Sequence, residues 1–243
     1  MQHTRILTIN FQRDGQLVTV HPALVGGQLL VDCGFPGQLP SLMAVAEQAG
    51  YNLANLVTAM ATHHDWDHIG CLAAIKARYS HVQIAASAAD APMIEGRSKS
   101  LRLEQTERLE PALPADQQAA SRARRAALAA VETVKVDRIL RDGDVIGPGG
   151  ARVVATPGHM PGHLAVFVED DGLLIAGDAL TAVDGELRPP NPLYTLDMPT
   201  AIASLKRLLS LPIQRILCYH GGLVEGDVKA ALAALVDGDL GLR

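Results

Sequence analysis

The stretch "ATHHDWDHIG", residues 61–70, decides how this chain reads. Three histidines and two aspartates fall within six of its positions. They follow the apolar run "LVTAM" (56–60) and precede Ile69, Leu72, Ile75 and Tyr79, which recur at helical spacing. The upstream run suits a strand buried on both faces, so His63 stands where the chain leaves a sheet. In an extended exit, residues two apart share a side, which groups His63, Asp65 and Asp67. A helix beginning near Asp67 puts Asp67 and His68 in its first turn, about 100° apart, so that they could serve two neighbouring ions as well as one. Five such side chains in six positions exceed what a polar loop needs, and imidazole with carboxylate suits Zn, Fe, Mn or Co. His64 and His68 also match the spacing of the helical HExxH of zinc proteases, with Asp65 for its glutamate. The β-like run upstream and Gly70 downstream leave no room for one helix through both histidines, so that parse is set aside.

Working outward, other apolar runs end in the same kinds of residue. "ATPGHMPGH" (155–163) carries His159 and His163 in a loop broken by proline and glycine, which rules out a helical pair. "LLIAGDAL" (173–180) reaches Asp178 at the end of its run, and "ILCYHGG" (216–222) reaches His220. Strand ends gathered at one sheet edge are where α/β sites form.

In this order, "THHDWDH", "TPGHMPGH", "AGDAL" and "CYHGG" resemble the metallo-β-lactamase-fold hydrolase superfamily, over nearly the whole chain. The resemblance implies an α/β (α+β) fold, a four-layer αβ/βα sandwich with a two-metal site at one edge of its two sheets. It also implies the ligand set. His63, Asp65 and His159 would take a first divalent ion and Asp67, His68 and His220 a second, with Asp178 between them and with Asp67 and Asp178 as the catalytic carboxylates. His163 is expected to hydrogen-bond near the site and His64 to pack or face solvent. Asp65 departs from the family's HxHxDH motif, where a histidine stands. A carboxylate is harder than imidazole and adds a negative charge, so zinc is expected first, with manganese or iron admitted by Asp65.

The implied chemistry is hydrolysis, in which two ions make hydroxide available near neutral pH and polarise the bond under attack. A small-molecule ester, lactone or thioester is the expected substrate. With 23 residues after His220, the C-terminal helical domain of glyoxalase II is not expected. The tyrosine that lactonases of this fold carry three residues past the bridging aspartate is Thr181 here, with Tyr194 and Tyr219 as substitutes. Two other readings stay in view. One is a non-haem diiron oxidoreductase, because flavo-diiron members carry glutamate at the position of Asp65. The other is a non-catalytic metal-binding or sensing module.

The rest of the chain reads as one domain, 1–243, with pseudo-halves at about 1–90 and 134–243. Between them, about 91–133, "SLRLEQTERLEP" and "ADQQAASRARRAALAAVETV" predict a helical insertion. "LVTVHPALV" and "QLLVD" flank Gly26-Gly27 as a hairpin. "SLMAVAEQAG", "MPTAIASLKRLLS" and "DVKAALAALV" read as amphipathic helices, and "DRILRDGDVI" as strand. A formal charge of −5 speaks against nucleic acid as partner, and no apolar stretch reaches the roughly 20 residues that span a membrane. No secretory signal opens the chain, and Cys33, Cys71 and Cys218 show no paired spacing, which fits a reducing cytoplasm. A homodimer is compatible with the sequence. His3, His21 and His81 are expected to be ordinary surface or core residues.

Overall fold

Alternation along the strands builds the layers. The computed structural model describes residues 3–13 and 15–238. Its strands run β1 (Thr4–Ile6), β2 (Ile9–Arg13), β3 (Gln16–Val20), β4 (Ala23–Val25), β5 (Leu29–Val31), β6 (Thr58–Met60), β7 (Gln83–Ser87) and β8 (Arg138–Leu140). They continue as β9 (Val145–Gly147), β10 (Ala151–Ala155), β11 (Leu164–Val168), β12 (Leu173–Gly177), β13 (Thr181–Val183), β14 (Glu186–Arg188), β15 (Arg215–Cys218) and β16 (Gly222–Val224). One six-stranded sheet has the order β1-β4-β5-β6-β7-β8 and the other β16-β15-β12-β11-β10-β9. Val25, Val31, Met60 and Ala85 of the first sheet share one buried cluster with Val153, Val166, Ile175 and Leu217 of the second. Their sequence neighbours Leu24, Leu30, Ala59 and Ile84 point the other way, as a period of two requires. There they meet Leu42 and Ala46 of α1 (Leu39–Gln48), and Leu72 and Ile75 of α3 (Leu72–Arg78), which follows the single turn α2 (Trp66–Ile69). In the second sheet Phe167, Leu174 and Ile216 meet Leu205 and Leu208 of α7 (Met198–Leu208), and Val228 and Leu232 of α8 (Val228–Asp237). Helix, sheet, sheet, helix is the expected four-layer order.

Between β7 and β8, which pair in parallel, run α4 (Ala91–Ile94), α5 (Leu101–Leu109) and α6 (Ala115–Ala129). Helix α6 stops before the β-branched Val131, Thr133 and Val134. The backbone N–H groups of Val134 and Val136 are instead drawn to the Ile94 carbonyl and the Glu95 carboxylate.

Two strand assignments need correction. "LVTVHPALV" is two strands, because Pro22 lacks an N–H and its carbonyl is taken by Leu7 N–H. β3 then pairs with β2 in a separate ribbon and only β4 joins β5. "DRILRDGDVI" likewise breaks at Gly143, with φ +85°, so that β8 ends one sheet and β9 begins the other. No helix among the described residues is long and apolar enough to cross a membrane.

The topology sets up one edge. β12 and β15 are parallel, and β10 runs in the same direction because β11 is antiparallel to both β10 and β12. The C-terminal ends of β10, β12 and β15 therefore lie together, facing that of β6. A hydrogen bond from Leu164 N–H to the Thr62 carbonyl, 2.8 Å, joins the two sheets there.

Candidate metal centre

His63 lies three residues past the end of β6. The chain bends through Thr62, His63 and His64 and is extended at Asp65, whose φ −67° and ψ 144° place it just before α2, and Asp67 and His68 fall in the first turn of that helix. His159 follows β10, Asp178 follows β12 directly, and His220 follows β15. All seven residues come together. Ligand atoms of His63, Asp65 and His159 lie within 4.8 Å of one another, and so do those of Asp67, His68 and His220. Asp178 reaches both groups, its Oδ2 lying 3.6 Å from both His159 Nε2 and His220 Nε2, and its Oδ1 3.4 Å from His68 Nε2. Gly177, with φ +54°, permits this approach: a Cβ there would stand 2.8 Å from His163 Nε2 and 2.9 Å from Thr62 Oγ1.

The side chains are held from behind. Asp32, in the left-handed backbone region at φ 60°, accepts bonds from Thr62 N–H at 2.8 Å and from His68 Nδ1–H at 2.9 Å. The second bond orients the His68 ring and turns its Nε2 to the centre. His163 Nε2 accepts the Asp178 backbone N–H at 3.0 Å and its Nδ1–H donates to Thr156 Oγ1 at 2.8 Å. Burial and then His159 push its pKa down to about 3, so it is a neutral support with both nitrogens engaged. His63 Nε2, His68 Nε2 and Asp178 Oδ1 are buried and make no hydrogen bond among the described residues. An unpaired buried polar atom costs about 1–3 kcal/mol, and three facing one another are what a bound cation would satisfy. The donor set fits a borderline or hard divalent ion.

The electrostatics are strongly coupled. Burial, then the His68 charge, lowers the pKa of His63. For His68 the pull of burial is outweighed by Asp32, Asp178 and Asp67, which raise it well above the ordinary value. Burial would raise Asp65, but the adjacent imidazoles of His159 and His63 and the charge of Arg102 hold it well below the carboxylate range. Asp178 is likewise held low, burial being outweighed by His220 and His68.

Arg102 is the residue that sequence reading missed. It comes from α5, is 2% exposed, and its Nη2 lies 2.6 Å from Asp65 Oδ2 with Nε 3.1 Å from both carboxylate oxygens. The pair carries no net charge, as a neutral imidazole would. The carboxylate that departs from the family pattern is thus matched by a cation from the helical segment. Two histidines four residues apart likewise part company. His64 turns away from His68 to the carboxylate of Asp90 and accepts Leu101 N–H at 3.2 Å. It is buried at the root of α5 and does not face solvent. No local pattern signals Asp32, Asp90 or Arg102, because each meets its partner only across the fold.

A pocket of about 260 Å³ opens beside the centre, lined by Asp65, Asp67, Asp178, His220, Arg102 and Tyr194 among others. The helical segment therefore forms one of its walls. Of the two tyrosines, Tyr194 lines this pocket. The Tyr219 hydroxyl is occupied, donating to the Asp67 carbonyl at 2.5 Å and accepting Gly34 N–H at 3.1 Å.

Known proteins agree with this architecture. The profile of the metallo-beta-lactamase superfamily matches residues 23–220. A hydroxyacylglutathione hydrolase of Fuscovulum blasticum is 29% identical over 231 residues, covering 94% of this chain and 70% of its own. The probable metallo-hydrolase YflN of Bacillus subtilis (strain 168) is 27% identical over 208 residues, covering 79% and 75%. Among solved structures, a metallo-beta-lactamase family protein from Thermus thermophilus superposes with a TM-score of 0.71 at 23% identity, over 96% of this chain and 78% of that one.

Proposed function

The chain belongs to the metallo-beta-lactamase superfamily, and on that premise we propose that it is a dinuclear metal-dependent hydrolase of a small-molecule thioester, ester or lactone. The observation that carries this reading is the set of buried, unpartnered atoms, His63 Nε2, His68 Nε2 and Asp178 Oδ1, turned to one point beside an open pocket. Divalent ions bound there would supply a water of lowered pKa and polarise the bond under attack. His63, Asp65 and His159 would hold one and Asp67, His68 and His220 the other, with Asp178 reaching both. Zinc comes first and manganese or iron after it. Asp67 and Asp178 both line the pocket, so their carboxylates orient water that enters it. Asp32 and His163 keep the ligand side chains from rotating, through His68 Nδ1 and the Asp178 backbone.

Thioesters are the first class to assay, because one relative is named for hydrolysis of a glutathione thioester. A lactone would lack the tyrosine at position 181, and Tyr194 is the phenol within reach of the pocket. The net charge of −5 and the small pocket support a small molecule over nucleic acid. Three free, buried cysteines support a cytoplasmic setting.

Metal stoichiometry by elemental analysis, run with hydrolysis of thioesters, esters, lactones, phosphodiesters and β-lactams, tests the reading. Two equivalents of metal and turnover that Asp178→Ala lowers by about 10²-fold or more are expected. Protein without metal, or turnover indifferent to Asp178→Ala, would overturn it. Bound iron with oxygen uptake and no hydrolysis would move the chain to the redox class.

A further inference from the structure

Two arginines line the pocket beside the centre, and they are differently occupied. Arg102 is consumed. Its Nε and Nη2 go to Asp65, Nη2 also reaches the Tyr194 carbonyl at 2.7 Å, and Nη1 goes to Gln105. Arg124, on α6, is not. Its Cζ sits 5.0 Å from the centre of the Tyr194 ring, and its one polar contact among the described residues is Nη1 to the Tyr194 hydroxyl at 3.5 Å. The Nε of Arg124 is buried with no acceptor. No carboxylate among the described residues pairs with it.

An arginine on a helix most often simply reaches into water. Its sequence neighbour Arg125, whose Nε is likewise buried, has a carboxylate beside it, Glu110 Oε2 at 3.2 Å. Arg124 instead folds onto a ring, and the backbone beneath that ring is pinned by Arg102. A guanidinium offers five N–H donors in a planar fork that matches a carboxylate. Here that fork makes one hydrogen bond among the described residues, and Arg124 lines the cavity that also exposes Asp178 and His220. Three carboxylates, Asp65, Asp67 and Asp178, and two guanidiniums line the pocket. Two divalent ions would turn its net charge positive, which favours an anionic guest. The volume, about 260 Å³, lies below the usual range for drug-sized ligands and selects a compact one.

We infer that Arg124 is a specificity residue that binds a carboxylate on the substrate, so that the hydrolase acts on compact acyl compounds bearing a negative charge away from the scissile bond. This rests on the hydrolase reading above and names its substrate class.

The test is equilibrium binding to the metal-loaded protein by calorimetry, and it needs no turnover. The probes are succinate, glutarate and adipate, each against its monoamide, which has the same size and one charge fewer. At the length that spans the pocket, the dicarboxylate should bind about tenfold tighter or more than its monoamide. Arg124→Gln should close that gap to about threefold or less, with metal content retained, and Arg124→Lys should keep part of it. Equal binding of each pair by the wild type, a preference that survives in Arg124→Gln, or no binding of any probe at millimolar concentration would overturn the inference. The two readings can fail separately. A charge preference without hydrolysis leaves the subsite and removes the activity, whereas hydrolysis with no preference for anionic acyl groups does the reverse.

Discussion

At Asp65 a carboxylate stands among histidines, and its charge is cancelled 2.6 Å away by Arg102. Both groups are almost fully buried, so neither is held by water. Removing one partner of a buried pair leaves an uncompensated charge and typically costs about 3–5 kcal/mol. Arg102→Met should therefore lower stability by an amount of that order and reduce occupancy of the site formed by His63, Asp65 and His159. Asp65→His in the same background should recover both, since a neutral imidazole beside methionine leaves no charge unpaired. Urea unfolding and metal content of the four proteins in the cycle give the coupling directly. Arg102→Met with unchanged stability and full metal would sink the account. The hardness argument for manganese or iron weakens accordingly, because the extra negative charge that Asp65 brings is already spent on the guanidinium.

At the scale of elements, the turn between β11 and β12 does more than reverse the chain. Gly172, in the left-handed region at φ 57°, closes it. Asp171 beside it accepts the backbone N–H groups of His3 at 2.8 Å and Thr4 at 2.7 Å, which ties β1 of the first sheet to the second. Burial would raise the pKa of Asp171, but these bonds from His3 and Thr4 outweigh it and lower the value. A carboxyl depressed on folding stabilises above its unfolded pKa, about 4, and loses that contribution as pH falls through the native value. Asp171→Asn should thus cost about 1–2 kcal/mol near neutral pH, and the deficit should narrow toward about pH 3. Urea titrations of both proteins at the two pH values decide it, and a deficit constant with pH would be the contrary result. Elements such as α1, α7 and α8 were legible because their apolar residues recur with the helix period, and Leu42 and Ala46 or Leu205 and Leu208 are indeed buried. The splitting of "LVTVHPALV" and "DRILRDGDVI" was not, since a β-like composition does not say which sheet a strand joins. Pro22 and Gly143 were the local signs of those breaks.

Across the whole molecule, the candidate centre is a junction between sheets: β6 contributes from one side, β10, β12 and β15 from the other, and α5 closes over it. Ions bound there would tie these parts together and stabilise the fold by mass action. One site held at a hundredfold its Kd adds about 2.7 kcal/mol, or about 5–10 °C in Tm for a chain of this size. Chelation by dipicolinate should lower the melting temperature by that much, and Asp178→Ala should show a smaller drop. Loaded and stripped proteins that melt together would argue against a structural contribution from metal.

The sequence by itself marked the strands and helices and seven candidate residues that the fold brings together, while the four layers followed from the family resemblance. Strand and helix periods are local properties, and "THHDWDH", "TPGHMPGH", "AGDAL" and "CYHGG" each place a metal-type side chain at a strand end. Only the tertiary structure decided what surrounds them: Asp32 behind His68, Asp90 beneath His64, Arg102 against Asp65, and Arg124 against Tyr194 at the pocket with no carboxylate among the described residues. The first three partners lie 26 to 37 residues away along the chain. Contacts at that separation follow no short period, because they are set by how sheets and helices pack and not by the preferences of the segments that supply them.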